Sequence, residues 1–486
     1  MVFTTYIFVF YFLPVVLALY YGVLWLGKAA GLSQRGVSLG CNALLLLASY
    51  VFYGWWDPWF VLLMLSVTVV NYGCGLVAGR PVVERAGRPG PRLRFWAVTA
   101  AIIASLSALA FFKYFMFFQA NLNVVLGWLG ADTVRVLQIV LPVGISFYTF
   151  HALSYTIDVY RGTAPPARSL VDFACYIALF PQLVAGPIIR YNTVADQLVG
   201  RVHSWDKFAS GVALFSLGFA KKILVANPMG RVADAAFGAE SLVAADAWFG
   251  AVAYAFQIYF DFSGYSDMAV GLGRMIGFRF LRNFDSPYQA ECITDFWRRW
   301  HISLSTFLRD YLYFPLGGNR KGPARTYLNL VVVMLLGGLW HGANWTFVAW
   351  GAFHGTLLAV ERLLGKRSVY HRLPRLVRVG ITFVLVLFSW VLFRSATIYD
   401  AFGYLGAMFG GGAASQGALV LGAQLYTQGS LALMAVAALV VAWPVQAHDW
   451  SEKVSWAKVL VVPPLFCGSL LVMFSQSFNP FLYFQF

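Results

Sequence analysis

The sequence contains few charged residues. Only 11% of its 486 residues are Asp, Glu, Lys or Arg, whereas about 25% is usual in soluble domains. Hydrophobic residues make up 60% of the chain, and apolar runs of about 20 residues, the length of a membrane crossing, recur along it. The composition excludes a soluble domain and predicts an all-α, polytopic membrane protein with roughly 10 to 13 transmembrane helices. We expect a single membrane domain over residues 1–486.

Cysteine is also scarce, and the common catalytic motifs are missing. The five cysteines are scattered and show no CxxC or Cys/His metal spacing: Cys41, Cys74, Cys175, Cys292 and Cys467. We interpret them as packing residues and predict no metal site. HExxH, Walker A, GxSxG and GxGxxG motifs do not occur in the context that their chemistry requires. The sequence therefore gives no support for a nucleotide-binding protein or a serine hydrolase.

Positive charge is present, and it is concentrated in short loops. The net charge is +15, and clusters of Lys and Arg lie at residues 80–94 and 361–378, whereas segments 1–27 and 395–452 contain neither residue. The positive-inside rule places the two basic loops in the cytoplasm and, by alternation, both termini outside it. We expect no nucleic-acid partner, because these residues flank apolar runs and form no continuous basic face. They could attract a polyanionic cytosolic ligand.

The stretch FPQLVAGPIIRY, residues 180–191, interrupts the helical pattern. Pro181 and Pro187 cannot continue the interior of a helix. A broken helix at membrane depth is tolerated only where protein covers it or where it lines a wet cavity, and Gln182 suits such a lining. The sequence predicts a re-entrant segment here, with a simple turn between two helices as the alternative.

The stretch QIYFDFSGYSDMAVGLG, residues 257–273, places two carboxylates in apolar sequence. Such groups need partners or water. Asp261 and Asp267 would point in roughly opposite directions on a continuous helix, so we do not expect them to share one site. We predict that Gly264 opens a loop and that Asp261 and Tyr265 line a cavity.

The stretch from residue 295 to residue 322 carries too much charge for a membrane crossing. Arg298 and Arg299 stand beside Trp300, and arginines next to aromatic residues are typical of a helix in or just below the membrane interface. We expect Arg298, Arg299 and Trp300 to line the substrate cavity. The two arginines could satisfy Asp295 or bind the phosphates of a ligand. His301 follows at once, where the chain returns to apolar sequence.

The stretch LLGGLWHGANWTFVAWGAFHG, residues 335–355, places two histidines in apolar sequence. An ionisable residue inside a membrane segment is by default a functional-site hypothesis. In one unbroken helix the rings of His341 and His354 would point to nearly opposite faces and could not serve one reaction centre. They could do so only if the step at residues 342–344 breaks the helix.

Of these two histidines we favour His341 as the reactive group. A buried neutral imidazole can accept a hydroxyl proton without carrying a permanent charge in lipid. Hydroxyls are poor nucleophiles unless a base takes that proton, so the chemistry suits acyl transfer to a hydroxyl. We expect Trp340 and Asn344 to line the same cavity, and His301 to be the second reactive candidate. The residues alone leave an enzyme and a proton-coupled transporter both open.

Long motifs in the chain resemble the membrane-bound O-acyltransferase family and, within it, the branch that acetylates bacterial alginate. The motifs are LPVGISFYTF (141–150), LFPQLVAGPIIRY (179–191), YFDFSGYSDMAVGLG (259–273), FWRRWHISLSTFLRDYLYFPLGGNR (296–320), MLLGGLWHGANWTFVAWGAFHG (334–355) and SQSFNPFLYFQF (475–486). The resemblance covers essentially the whole chain. It implies many transmembrane, re-entrant and interfacial helices, with a funnel from each face meeting at the family's histidine, here His341. The family's second characteristic position falls on His301, and the catalytic core on about residues 135–360.

The resemblance also implies a reaction and its participants. The protein would be an inner-membrane O-acetyltransferase with both termini in the periplasm. It would bind no resident cofactor and would use acetyl-CoA as the acetyl donor. The acetyl group would cross the membrane to a periplasmic SGNH-type acetyltransferase, a partner within the exopolysaccharide secretion machinery, for the acetylation of alginate.

Other functions remain open at this point. The stretch at residues 445–459 is short, and this feature leaves room for acetylation of cellulose or another exopolysaccharide by the same chemistry. A D-alanyl transferase for teichoic acid would share the fold. Outside the enzyme class, a proton-coupled exporter would use His341 and Asp261 as a relay, and a scaffold of a secretion complex would need no reactive histidine.

Overall fold

All regular elements that the structure describes are helices. The structure is a computed structural model, and it describes residues 1–80, 91–184, 186–365, 369–412 and 416–476. The predicted all-α class is therefore confirmed. Several predicted features lie partly outside the described residues: residues 81–90 of the first basic loop, 366–368 of the second, residue 185 of the Pro-broken stretch, and 477–486 of the last motif.

The chain divides into two compact units. One contains Met1–Val212 and Ala269–Leu281, and the other contains Ala213–Met268 and Arg282–Phe486. Two of the three boundaries, at residues 212/213 and 268/269, fall inside helices. This division is one of packing, and the single functional domain over 1–486, with its core at about 135–360, stays a prediction.

The first unit is built from the eight α-helices that come first in the chain, the start of the ninth, and the end of the helix Ala244–Met275. A π-helical segment, Ile7–Phe12, precedes α1. The helices are α1 (Leu13–Ala29), α2 (Gln34–Gly54), α3 (Trp59–Ala78), α4 (Pro91–Trp128), α5 (Ile145–Arg161), α6 (Leu170–Ala178), α7 (Phe180–Leu183), α8 (Tyr191–Val199) and α9 (Trp205–Ala220).

The second unit holds the remaining helices. They are α10 (Asn227–Phe237), α11 (Ala244–Met275), α12 (Ile293–Arg299), α13 (Ile302–Leu308), α14 (Pro323–His341), α15 (Trp345–Leu364), α16 (Arg375–Arg394), α17 (Ile398–Met408), α18 (Gln416–Leu425), α19 (Gln428–Ala442), α20 (Ala447–Trp450) and α21 (Trp456–Ser475). Short π or 3-10 segments lie at Lys221–Ala226, Pro287–Gln289, Arg309–Tyr313 and Val369–Arg372.

Eight helices in the described part of the chain are long and apolar enough to cross a membrane, and a bent pair, Gly417–Leu425 with Gln428–Ala442, brings the number to nine if it forms one span. The chain is thus a multi-pass membrane protein, but the number is below the roughly 10 to 13 crossings expected. The difference arises because α11 and α15 carry ionisable residues within apolar sequence, and because residues 169–189 fold as the short helices α6 and α7. The predicted break of the helix near Pro181 is therefore present.

Glycines allow α14 and α15 to pack backbone against backbone. A Cβ atom on Gly351 would collide with the carbonyl oxygen of Met334, and one on Gly338 would collide with that of Phe347. Small residues permit this close approach of helices in membranes. The step at residues 342–344 separates the two helices, so α15 folds back along α14. This packing places the end of α14, with His341, beside the first turns of α15.

The prediction of a loop at Gly264 is wrong. Helix α11 continues without interruption from Ala244 to Met275. Gly264 instead contacts the backbone of Gly218 in α9, where a Cβ atom on Gly264 would lie 2.7 Å from the Gly218 carbonyl oxygen. The glycine permits close packing of the two helices inside the second unit, and this role depends on a tertiary contact that the sequence alone does not reveal.

Candidate active site

His341 is the last residue of α14, and its ring lies in an aromatic cluster. The ring centroid is 4.9 Å from that of Trp340, 5.1 Å from that of Trp350 and 5.2 Å from that of Phe393. The residue is 8% exposed. Aromatic walls fix the orientation of the imidazole and exclude most water from it. Trp350 and Phe393 were not identified from the sequence, where they look like ordinary apolar helix residues.

His301 forms the junction between α12 and α13 in an unusual backbone conformation. Its φ is 44°, in the left-handed region, and among the described non-glycine residues only Ser286 shares a positive φ. Asn283 stabilises the junction: its carbonyl accepts from the backbone N–H of Ile302 at 2.9 Å, and its side-chain oxygen accepts from the backbone N–H of Ser303 at 3.1 Å. Strained non-glycine residues cluster at functional sites. Asn283 was missed from the sequence.

The side chain of His301 is completely buried, with no exposed surface. Neither of its ring nitrogens has a hydrogen-bond partner among the described residues, and its ring packs edge-on against Phe262 at 4.6 Å between centroids. His301 lies outside the long apolar helices, and burial lowers its pKa to about 3. The imidazole is therefore neutral at physiological pH, and one of its nitrogens carries a proton that it can donate.

The structure brings His301 and His341 together. Their ring centroids are 6.3 Å apart, and Trp340 contacts both rings, at 6.0 Å from His301. At this separation both imidazoles can contact the same small group of a substrate. The two histidines that the sequence singled out, forty residues apart in the chain, thus belong to one site within the second unit.

His354 joins the same aromatic cluster through Trp350. The Trp350 ring lies 5.1 Å from His341 and 4.9 Å from His354. The indole N–H of Trp297 donates to Nδ1 of His354 at 3.3 Å. The helix does break at residues 342–344, which is the condition that the sequence set for both rings to serve one site, and both rings lie against Trp350.

Several polar atoms around these rings have no hydrogen-bond partner among the described residues. Besides the two nitrogens of His301, they are Nε1 of Trp350, Nε2 of His354 and Oγ1 of Thr346, in residues that are 1% exposed or less. A buried polar group without a partner costs about 1–3 kcal/mol, and each such group calls for an explanation, such as a functional role. A concentration of them beside His341 is the chemistry expected where a polar substrate group binds.

Other predicted site residues make different contacts. Arg298 is exposed, and Arg299 donates to Asp295 at 2.9 Å, one of the two partners expected for it. Trp300 is buried and packs against Trp390, with ring centroids 4.9 Å apart. Asn344 begins α15: its side chain accepts from the backbone N–H of Thr346 and donates to the carbonyl of Ala396. These contacts give structural roles to Arg299, Trp300 and Asn344, and their lining of a cavity stays a prediction.

Asp261 and Tyr265 are buried in α11, and Gln182 is buried in the first unit. Asp261 forms an ion pair with Lys222, 2.7 Å between Nζ and Oδ1, and both side chains are 2% exposed. Gln182 donates to the carbonyl of Tyr176 at 2.5 Å. Lys222 was not identified from the sequence, although a lysine inside an apolar run was a usable signal.

No group of His, Cys, Asp and Glu residues in the described part of the chain has the arrangement of a metal site. The candidate site therefore offers imidazole, indole and hydroxyl groups. Such a set can transfer protons and hydrogen-bond to a carbonyl oxygen.

Comparison with known proteins gives a consistent result. The model of MBOAT, the membrane-bound O-acyltransferase family, matches residues 166–399, a range that contains both His301 and His341. The probable alginate O-acetylase AlgI of Pseudomonas putida is 44% identical over the full length of both chains. A peptidoglycan O-acetyltransferase of Helicobacter pylori is 36% identical over 75% of this chain and 73% of its own. A teichoic acid D-alanyltransferase of Bacillus subtilis is 26% identical over 51% of this chain and 68% of its own.

Proposed function

Because the chain belongs to the membrane-bound O-acyltransferase family, as its full-length likeness to AlgI proteins shows, we propose that it is the membrane O-acetyltransferase of alginate acetylation. It is an O-acyltransferase, and the group that it transfers is acetyl. The observation that carries the proposal at the level of chemistry is the pairing of two buried imidazoles, His301 and His341, 6.3 Å apart among unpartnered polar atoms.

The two histidines have different roles in the proposed reaction. A general base works best when its pKa lies near the operating pH, so His301, with a pKa near 3, is poorly suited to accept a proton. It instead donates its N–H to the carbonyl oxygen of the acetyl group, where negative charge develops. His341, which retains some exposure, is the general base.

The reaction then proceeds by direct acyl transfer. The hydroxyl oxygen of the acceptor attacks the thioester carbon as the hydroxyl proton passes to neutral His341. The carbon–sulfur bond breaks, and the imidazolium of His341 returns the proton to the departing thiolate. The products are an acetyl ester and free coenzyme A. Acetyl-CoA is thus a substrate, and the mechanism requires no resident cofactor.

The location of the substrates follows from the distribution of charge. Lys and Arg in the loops at 80–94 and 361–378 place those loops in the cytoplasm, where they attract the anionic coenzyme. Both termini then lie in the periplasm of a protein in the bacterial inner membrane. A funnel from each face meets at His341, and the acceptor is a periplasmic SGNH-type acetyltransferase that works with the exopolysaccharide secretion machinery.

A second polymer is a specific alternative. The relative from Helicobacter pylori is named a peptidoglycan O-acetyltransferase. Relatives at this level of identity to the chain are therefore named for the acetylation of different polymers. Acetylation of cellulose or another exopolysaccharide by the same chemistry is therefore the alternative to alginate. An exporter that uses His341 and Asp261 as a proton relay is less well supported, because Asp261 is paired with Lys222.

The test is acetylation in an alginate-producing host whose own copy of this gene is deleted. Expression of His341→Ala should lower the acetyl content of secreted alginate by about 100-fold or more, the effect of losing a general base. His371→Ala, which changes an exposed histidine, should leave the acetyl content unchanged. Acetyl content is measured by NMR at equal membrane levels of each protein. Normal acetylation by His341→Ala would contradict the proposed chemistry, and no acetylation by the unaltered chain would contradict alginate as the polymer.

A further inference from the structure

A pocket in the first unit shares no residue with the histidine site, and its lining is suited to bind a lipid. Its volume is about 750 Å³, within the range of about 300–1,000 Å³ for small-molecule sites. Its walls come from the last turns of α1 and from the chain at residues 203–208, and most of the lining side chains are apolar, among them Leu17, Leu24 and Phe208. A cleft of this kind can hold an acyl chain.

Two tryptophans on the wall of the pocket indicate where it lies along the membrane normal. Trp25 is 68% exposed and Trp205 is 86% exposed, and both line the pocket. Tryptophan is enriched at the membrane–water interface. Lys28 follows Trp25 by one helical turn and also lines the pocket. One end of the pocket therefore lies at the level of the lipid headgroups. The positive-inside rule assigns an end that carries Lys28 to the cytoplasmic side of the membrane.

The headgroup end gathers several cations, and none of the residues that line the pocket is acidic, although Asp206 is next to Trp205 in the chain. Lys28 and His203 line the pocket, and Arg201 and Lys207 are close enough to His203 to act on its charge. Arg279 is in turn close to Lys207. In the described part of the chain, neither Lys28 nor Lys207 forms an ion pair with a carboxylate. Like charges held together repel one another, and a bound anion would relieve that repulsion.

The cationic end is also held in place by hydrogen bonds. Nε of Arg201 donates to the hydroxyl of Tyr20 at 3.1 Å, and that hydroxyl donates to the carbonyl of Ile276 at 2.9 Å. Because the hydroxyl proton of Tyr20 is donated to Ile276, the Tyr20 oxygen can only accept a hydrogen bond from Nε2 of His203, 2.9 Å away. Burial and the neighbouring cations lower the pKa of His203 to about 4. His203 is thus a neutral, oriented wall residue, and the positive charge comes from the lysines and arginines.

We propose that this pocket binds one anionic phospholipid, with an acyl chain against the apolar residues of α1 and the phosphate at Lys28. Basic pockets between transmembrane helices on the cytoplasmic side are the sites at which acidic lipid headgroups bind. The site is independent of the acetyl-transfer chemistry. The bound phospholipid would anchor the first unit to the leaflet in which anionic lipids are concentrated.

Native mass spectrometry of the purified full-length protein tests the proposal. The probes are phosphatidylglycerol and phosphatidylcholine with identical acyl chains. The unaltered protein should retain one phosphatidylglycerol in preference to phosphatidylcholine. Lys28→Gln should weaken phosphatidylglycerol binding about fivefold, the effect of about one charge near an anionic lipid, and Lys28→Arg should restore it. Lys453→Gln, at an exposed lysine outside the pocket, should have no effect.

A second pair of variants tests the apolar part of the pocket. Ala18→Trp fills it from an exposed position of α1, whereas Leu19→Trp changes the next, also exposed, residue outside the lining. Ala18→Trp should abolish selective retention, and Leu19→Trp should preserve it. Equal binding of the two phospholipids, or unchanged binding in both Lys28→Gln and Ala18→Trp, would overturn the proposal. Displacement by inorganic phosphate, beyond that by chloride at equal ionic strength, would show that the site takes a free anion and would also overturn it.

Discussion

At the residue scale, the proposed chemistry depends on one imidazole, that of His301, that remains uncharged. His301 has no exposed surface, and its pKa is lowered to about 3 by burial. A neutral imidazole provides one donor and one acceptor, whereas an imidazolium ion provides two donors only. In the proposed reaction, neutrality therefore lets His301 hydrogen-bond to the acetyl carbonyl without placing a fixed charge in the protein interior, where an unpaired charge is costly.

The backbone of His301 leads to a prediction about stability. Its φ of 44° is costly for a residue with a Cβ atom and nearly free for glycine. His301→Gly and His301→Ala both remove the ring and leave nearly the same cavity. We expect His301→Gly to be more stable than His301→Ala by about 1 kcal/mol, although both should lose acetyl transfer.

Thermal unfolding of the two purified variants in one detergent measures this difference. The order reverses the usual effect of glycine, which destabilises most regular positions relative to alanine. A His301→Ala variant as stable as His301→Gly would mean that the left-handed conformation is not maintained at this junction.

At the scale of elements, the contact between α14 and α15 builds the site. The step at residues 342–344 ends α14 at His341 and lets α15 fold back along it. Gly338 and Gly351 then allow the backbones to meet. As a result Trp350, in the second turn of α15, lies against His341. The position of His341, the proposed base, thus depends on residues that have no functional groups of their own.

Gly351→Ala tests this dependence. A Cβ atom there would collide with the Met334 carbonyl and lie 3.0 Å from Cα of Leu335, so the helices must separate. We expect a loss of about 1–3 kcal/mol in stability, as for overpacked cores, together with reduced acetyl transfer. The matched control is Gly380→Ala in α16, where a Cβ atom would meet nothing within 4 Å.

Stability is followed by thermal unfolding, and activity by the acetyl content of secreted alginate. Gly380→Ala should be neutral or slightly stabilising, since alanine favours a helix over glycine by about 1 kcal/mol. If Gly351→Ala is as stable and as active as Gly380→Ala, the close approach of α14 and α15 is not what positions His341.

At the scale of the whole molecule, the features that depend on composition could be predicted from the sequence. Low charge and apolar runs indicated the all-α, multi-pass architecture, and the motifs around His301 and His341 indicated the family. The sequence motifs also predicted that these two histidines belong to one site. The structure places their rings 6.3 Å apart, and their roles in catalysis stay predictions.

Features that depend on tertiary contacts could not be predicted. Gly264 looked like the start of a loop because glycine weakens helices, but it lies in a continuous helix that packs against α9. The partner of Asp261, Lys222 from another helical segment, was not identified, and the lining of a cavity by Asp261 stays a prediction. The role of Asn283 depends on a turn that meets the His301 junction from a distant part of the chain. Each of these residues takes its role from a partner that is not its neighbour in sequence.

The most direct test is the release of free coenzyme A from acetyl-labelled acetyl-CoA by the purified protein together with its periplasmic acceptor. The unaltered chain should release coenzyme A and label the acceptor in equal amounts. His341→Ala should release coenzyme A and label the acceptor at least about 100-fold more slowly. It should bind acetyl-CoA with unchanged affinity. Transfer at the normal rate by His341→Ala, or an intact thioester with the unaltered chain, would contradict the account.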